Sequence, residues 1–264
     1  MPRFEPNPVR RPAIVSGASS GIGAATAQTL AAAGHPVMLG ARRVEMCEEL
    51  VGSIRADGGE AAAASLDVSD GDSVKSFVRA ATETFGPIEI AVSGAGILDV
   101  ALVHELDSEA FLQEVQVHLV GAHRLVSAVV PEMVERRRGD IVFVGSDVAT
   151  APRPRVGAYV PSKAGLEAMA QTMQKELEGT GVRASIVRPG PTHTAMGTSF
   201  DESVAGPLLK DWIHWGFARH PYFLRPSDIA AAVSTVVSAP RGVHLTLTEI
   251  QPEAPLEEET NDPS

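Results

Sequence analysis

Short apolar runs alternate with helix-patterned segments almost throughout this 264-residue chain, and few architectures accommodate that rhythm. Strand candidates lie at Ala13–Val15, Pro36–Leu39, Ala61–Leu66, Ile88–Val92, Ile141–Val144, Val182–Val187 and Val243–Leu247. Helical patterns fill the intervals at 22–33, 44–56, 69–85, 108–136 (one helix or two), 156–178 and 226–238. Parallel strands need long crossovers, and a helix is the usual one. The chain therefore reads as an α/β protein with a doubly wound parallel sheet of about seven strands. No Pro/Gly/Ser-rich break interrupts the rhythm, so residues 12–252 form one domain. Residues 1–11 are expected to be a disordered arm, and the acidic, proline-containing residues 253–264 a disordered tail.

Composition excludes several classes. A formal net charge of -11 argues against non-specific nucleic-acid binding, which needs clustered Lys and Arg. The single cysteine, Cys47, permits no intrachain disulfide and no multi-cysteine zinc site. The histidines form no metal-spaced cluster, so no metal is expected. No apolar run has the ~18 residues of a membrane span, and Met1–Pro12 lacks the apolar core of a secretory signal. The expectation is a soluble cytoplasmic protein.

The first strand runs directly into Gly17-Ala18-Ser19-Ser20-Gly21-Ile22-Gly23, and a helix follows. Glycines permit close backbone approach, and a helix N-terminus offers free N–H groups to a pyrophosphate. A ligand-free tight turn is the plainer reading. Placement between the first strand and the first helix favours the phosphate site. After the second strand, where a carboxylate would favour NAD, the chain has Arg42 and Arg43. Two guanidiniums can fork onto a 2′-phosphate, so NADP is preferred over NAD. The alternative is a pair of solvated arginines.

Tyr159 and Lys163 stand four residues apart, on one helix face, in a chain with only two tyrosines and four lysines. A phenol titrating near ~10 is a poor base at neutral pH, and a neighbouring ammonium brings it closer to working range. Ser146 lies just past the fifth strand, at the sheet edge where α/β proteins bind ligands. By themselves these residues equally suit a surface contact and a loop serine.

Taken together, the glycine loop, Ser146, the Tyr-x-x-x-Lys pair and Arg188-Pro189-Gly190 resemble the short-chain dehydrogenase/reductase family over roughly residues 12–252. The resemblance implies a Rossmann-like sheet in the order 3-2-1-4-5-6-7, a homotetramer or homodimer, and NAD(P)-dependent alcohol oxidation or carbonyl reduction. It makes Tyr159 the acid/base, Ser146 the group that orients the substrate oxygen, and Lys163 the holder of the nicotinamide ribose. It assigns Gly17, Ser19, Ser20, Gly21, Ile22 and Gly23 to the pyrophosphate side, and Arg42 and Arg43 to NADP. Asp67 and Val68 match adenine contacts. Gly94, Ala95 and Gly96 match the glycines that admit the cofactor, and Pro189, Gly190, Thr192 and Thr194 the nicotinamide segment.

Two positions depart from the family pattern. Ser93 stands where the family often has asparagine, and His118 replaces the central-helix asparagine of the proton relay. His118 is open to three readings: a polar substitute, an imidazole within the relay, or a cause of impaired catalysis. Accordingly, a cofactor-binding protein without turnover stays open beside the oxidoreductase. Residues 194–225 show no clear period yet hold Phe200, Trp212, Trp215, Phe217, Tyr222 and Phe223. They suit a cover over an apolar carbonyl or alcohol substrate, or else local packing or a subunit contact.

Overall fold

The computed structural model describes residues 6–194 and 202–254. Seven strands, β1 (Ala13–Ser16), β2 (Val37–Ala41), β3 (Ala61–Ser65), β4 (Ile90–Ser93), β5 (Gly139–Val144), β6 (Val182–Pro189) and β7 (Leu247–Ile250), form one sheet. Every pairing is parallel, in the order β3-β2-β1-β4-β5-β6-β7. The register brings Ser16 level with Gly40 on one side and Ser93 on the other, so the carboxyl ends of the central strands share one edge.

Side chains of a strand alternate between faces, and here both faces are buried. Ala13, Val15, Val37 and Leu39 pack with α1 (Gly21–Ala32), α2 (Val44–Ala56) and α8 (Pro226–Ser238). Ile14, Met38, Phe143 and Ile186 pack on the other face with α3 (Gly71–Phe85), α5 (Gly121–Glu135) and α6 (Tyr159–Glu176). Asp70 caps α3 by accepting from the N–H of Asp72. The segment expected as one helix or two is a continuous helical run. It comprises α4 (Ser108–Val115), a π turn (Gln116–Val120) and α5.

Three expectations are corrected. Residues 6–11 are not a free arm: Arg11 is only 1% exposed, and pairs with Glu89 and Asp140 beneath the sheet. Asp140 also takes two hydrogen bonds from Arg183, so its carboxylate is shared between two guanidiniums. The last strand lies later than Val243–Leu247. Arg183 claims the carbonyls of Ala239 and Val243 at 3.1 and 2.6 Å, and the chain settles into the ladder only from Leu247. Residues 194–225 contain a helix, α7 (Glu202–His214), although Gly206-Pro207 interrupts its periodicity. It is anchored by buried Leu208 and by Trp212, whose Nε1 donates to the Pro154 carbonyl. Phe200 and the acidic tail from residue 255 lie outside the described residues. Among the described residues, no helix is long and apolar enough to cross a membrane.

Candidate active site

A cleft of about 900 Å³ opens along the carboxyl edge of the sheet. Its first half is built on β1 and the start of α1. The Ser16 hydroxyl accepts from the N–H groups of Gly94 and Ala95 at 3.0 and 3.3 Å, drawing the β4 turn against the β1 turn. Gly17 has φ +74°, and a Cβ there would sit 2.7 Å from the Gly94 carbonyl. A Cβ on Gly23 would come within 2.3 Å of the Gly17 carbonyl. A side chain is thus excluded at both positions, and the turn packs closely enough for its backbone and the start of α1 to line the cleft with Ser19, Ser20 and Ile22. Arg42 and Arg43 stand exposed on the rim, and Arg43 donates to Ser19 Oγ at 3.2 Å. Asp67 closes the next strand end. Hydrogen bonds from Ser69 hold its carboxyl below the usual carboxylate range.

The second half lies where β5 ends and α6 begins. Tyr159 is the first residue of α6 and Lys163 lies one turn on, so both face the Ser146 turn. Burial pushes the Tyr159 phenol up to about 12, and a hydrogen bond with Ser146 pulls the other way. Lys163 is buried, donates to the Val144 carbonyl at 2.8 Å, and lies 5.5 Å from the centre of the Tyr159 ring. Dehydration brings its ammonium down to about 8. A bidentate pair fixes the floor: Arg188 donates to both oxygens of Glu167, and Glu167 Oε1 accepts from the Ser146 N–H.

All but one of the catalytic and cofactor residues expected from the sequence border this cleft. From the β1 turn through the Arg pair they are Gly17, Ser19, Ser20, Gly21, Ile22, Gly23, Arg42 and Arg43; Asp67, Val68, Gly94, Ala95 and Gly96 follow. Ser146, Tyr159, Lys163, Pro189, Gly190, Thr192 and Thr194 complete the set. His118 is the exception: it lies behind Tyr159, ring edge to ring face, with centroids 5.1 Å apart. Its Nε2 accepts from the Ile97 N–H at 3.0 Å, which places the proton on Nδ1. Nδ1 then donates to Ser162 Oγ at 2.8 Å, and Ser162 donates to the Tyr159 carbonyl. Burial holds the imidazole well below its ordinary value, so it is neutral. Of the aromatic segment, Trp212 and Phe223 line the cleft, whereas Trp215 and Tyr222 point to solvent.

Sequence reasoning missed Glu114. Its side chain is fully buried beside His118, one helical turn before it. Oε1 accepts from the Asp99 N–H at 2.7 Å, and Oε2 has no hydrogen-bond partner. Dehydration raises the carboxyl from 4.5 to about 7, offset in part by that bond and by the Lys163 charge. Nothing in the polar, amphipathic run around it signals the burial, since Glu114 is the buried residue of α4.

A family model described as short chain dehydrogenase matches residues 11–205. The chain is 35% identical over 239 residues to 2,3-dihydro-2,3-dihydroxybenzoate dehydrogenase of Bacillus subtilis, covering 89% of this chain and 91% of that one. It is 34% identical over 239 residues to the glycine betaine reductase ATRR of Emericella nidulans; that match covers 90% of this chain but 18% of the larger protein. The crystal structure of an actinorhodin polyketide ketoreductase variant with NADPH superposes with a TM-score of 0.84 at 27% identity. That superposition covers 92% of this chain and 96% of the ketoreductase.

Glu114 generates a pH prediction. A carboxyl raised by folding destabilises the native state as pH climbs from its unfolded value through its folded one. Glu114→Gln keeps an acceptor for Asp99 and cannot ionise. Relative to wild type, its stability should therefore improve by about 2 to 3 kcal/mol between about pH 5 and pH 8. Urea denaturation at the two pH values checks this, and a pH-independent difference contradicts it.

Proposed function

The chain belongs to the short-chain dehydrogenase family, and from that premise we propose that it is an NADP(H)-dependent oxidoreductase interconverting a carbonyl and a secondary alcohol on an apolar substrate. One observation carries the reading. The Tyr159 phenol, the Ser146 hydroxyl and the Lys163 ammonium converge in one largely buried corner of a cleft that also holds the glycine turn, the start of α1 and two arginines.

The cleft suits the cofactor on its own geometry. Gly17 and Gly23 let the β1 turn pack against the β4 turn and onto the start of α1, and the α1 N-terminus that lines the cleft favours a pyrophosphate there. Arg42 and Arg43 would hold a 2′-phosphate on the rim. Asp67 and Val68 would flank the adenine, while Gly94–Gly96 and Pro189–Thr194 border the nicotinamide end. When bound, the nicotinamide supplies or accepts the hydride.

The chain's own residues handle the proton. In reduction, Ser146 holds the carbonyl oxygen, and the Tyr159 O–H passes its proton to that oxygen as it gains charge. The Lys163 cation stabilises the phenolate left behind. A phenol this dehydrated stays protonated until the oxygen it serves becomes basic. His118 acts as a positioning residue. Its ring braces Tyr159, and through Ser162 it ties the first turn of α6 to the β4 loop at Ile97. Both its nitrogens are engaged away from the phenol, so the proton does not pass through it.

Tyr159→Phe should retain NADPH binding and lose about 10²-fold or more in turnover of apolar ketones, measured as NADPH consumption. Turnover close to wild type in that variant contradicts the assignment. NADPH binding without turnover by wild type across a range of apolar ketones and aldehydes would favour the non-catalytic reading. Replacing Arg42 and Arg43 by Ala should cut the preference for NADPH over NADH by about 10- to 100-fold, since hydrogen bonds to a charged group are lost. An unchanged ratio of kcat/KM values would assign the arginines to solvent.

A further inference from the structure

The end of the cleft beyond Tyr159 is walled by apolar side chains, among them Val148, Val156, Leu208 and Phe223. Arg153 is the cation among them, with its side chain only 8% exposed. Three contacts hold the guanidinium. Nε donates to the Phe217 carbonyl at 3.1 Å, Nη2 pairs with the Asp147 carboxylate, and the plane lies over the Trp212 ring, 5.2 Å from its centre. Trp212 is itself pinned by its bond to the Pro154 carbonyl.

These contacts leave one nitrogen unspent. Nη1 has no hydrogen-bond partner among the described residues, and it is not one of the fully buried polar atoms, so it stays accessible on the side chain that lines the cleft. A charged donor held in place at the wall of an apolar pocket can take a ligand oxygen without any rearrangement of its own contacts. A purely structural clamp on Asp147 accounts for Nη2 and Nε but not for Nη1.

The charge of the site narrows the ligand. Asp147 already neutralises Arg153, so a ligand carboxylate would face the Asp147 carboxylate as well as the guanidinium. An uncharged oxygen meets only the donor. Its distance from the reacting carbonyl is short, because Asp147 Oδ1 lies 3.5 Å from Ser146 Oγ while Oδ2 holds Arg153.

We propose that Arg153 is a specificity-determining residue that receives a second, uncharged oxygen of the substrate, a few bonds from the carbonyl held at Ser146. The substrate class is then an apolar ketone bearing an ester, amide or second keto oxygen. This rests on the oxidoreductase reading of the cleft.

The test measures binding apart from turnover. Wild-type protein loaded with NADP⁺, which cannot reduce a ketone, is titrated calorimetrically with a γ-keto ester, a ketone of equal length lacking the ester, and the free γ-keto acid. The ester should bind about tenfold or more tightly than the plain ketone, and more tightly than the acid. Arg153→Gln should remove that advantage. So should Arg153→Gln combined with Asp147→Asn, which leaves no unpaired carboxylate. Equal binding of ester and ketone by wild type, no measurable binding of the ester, or an advantage that survives both variants overturns the proposal. Tighter binding of the acid overturns the uncharged-oxygen assignment. NADPH consumption on the same three compounds separates the two claims. An Arg153-dependent binding advantage without turnover would refute the oxidoreductase reading while leaving the Arg153 assignment intact.

Discussion

The buried ion pair between Glu167 and Arg188 ties together the elements that carry the candidate site. Glu167 stands on α6, two turns beyond Tyr159, and Arg188 near the end of β6. The same carboxylate accepts the Ser146 N–H, and the same guanidinium reaches Glu249 on β7 at 2.8 Å. One charged contact thus sets α6, the β5 turn, β6 and β7 relative to one another. Burying such a pair is expensive, and removing either partner leaves an uncompensated charge in the interior. The cost is met with near-ideal geometry: Arg188 places one nitrogen 2.6 Å from Glu167 Oε2 and a second 3.2 Å from each oxygen. A Cβ on Gly145 would meet Glu167 Oε1 at 2.3 Å, so the turn that carries Ser146 needs glycine for the carboxylate to approach.

Dehydration is the second organising constraint. Tyr159, Lys163, His118 and Glu114 all lie in the region where α6 meets the π turn, and burial is the largest influence on each of them. It holds the phenol and the carboxyl protonated to higher pH, and makes the ammonium and the imidazole easier to deprotonate. The corner therefore carries less charge than its composition suggests, which limits the cost of assembling four ionisable groups there. The π turn adds a geometric element. Turns of this kind often occur at functional sites, and this one places His118 where its two nitrogens bridge the β4 loop and α6.

Much of the fold could be read from periodicity, because both faces of a parallel sheet are buried and its strands stand out as apolar runs. The helices at 44–56 and 226–238 match their expected bounds. What escaped depends on tertiary contacts between residues distant in sequence. Arg11 looks like part of a basic arm until Glu89 and Asp140 are placed beside it. The helix at Glu202–His214 contains Gly206-Pro207 and is anchored to another loop through Trp212. The cleft residues were legible because short motifs hold them at fixed spacing on strand ends. Glu114 and Arg153 belong to no such motif. Their significance lies in a buried oxygen without a hydrogen bond and in a guanidinium held at the cleft wall by Asp147, Phe217 and Trp212, which only the packing reveals.

The central claim is that Tyr159 is the proton donor of a cofactor-filled cleft, and a spectroscopic titration of its phenol tests it most directly. The chain has two tyrosines, so Tyr222→Phe leaves Tyr159 as the sole source of the tyrosinate absorbance. Without cofactor the phenol should titrate at about 12. With NADP⁺ bound, the positive nicotinamide ring beside it should bring that value down by a unit or more, on the order of the shifts that a nearby cation produces. A titration that NADP⁺ leaves unmoved, with the cofactor demonstrably bound, would contradict the account.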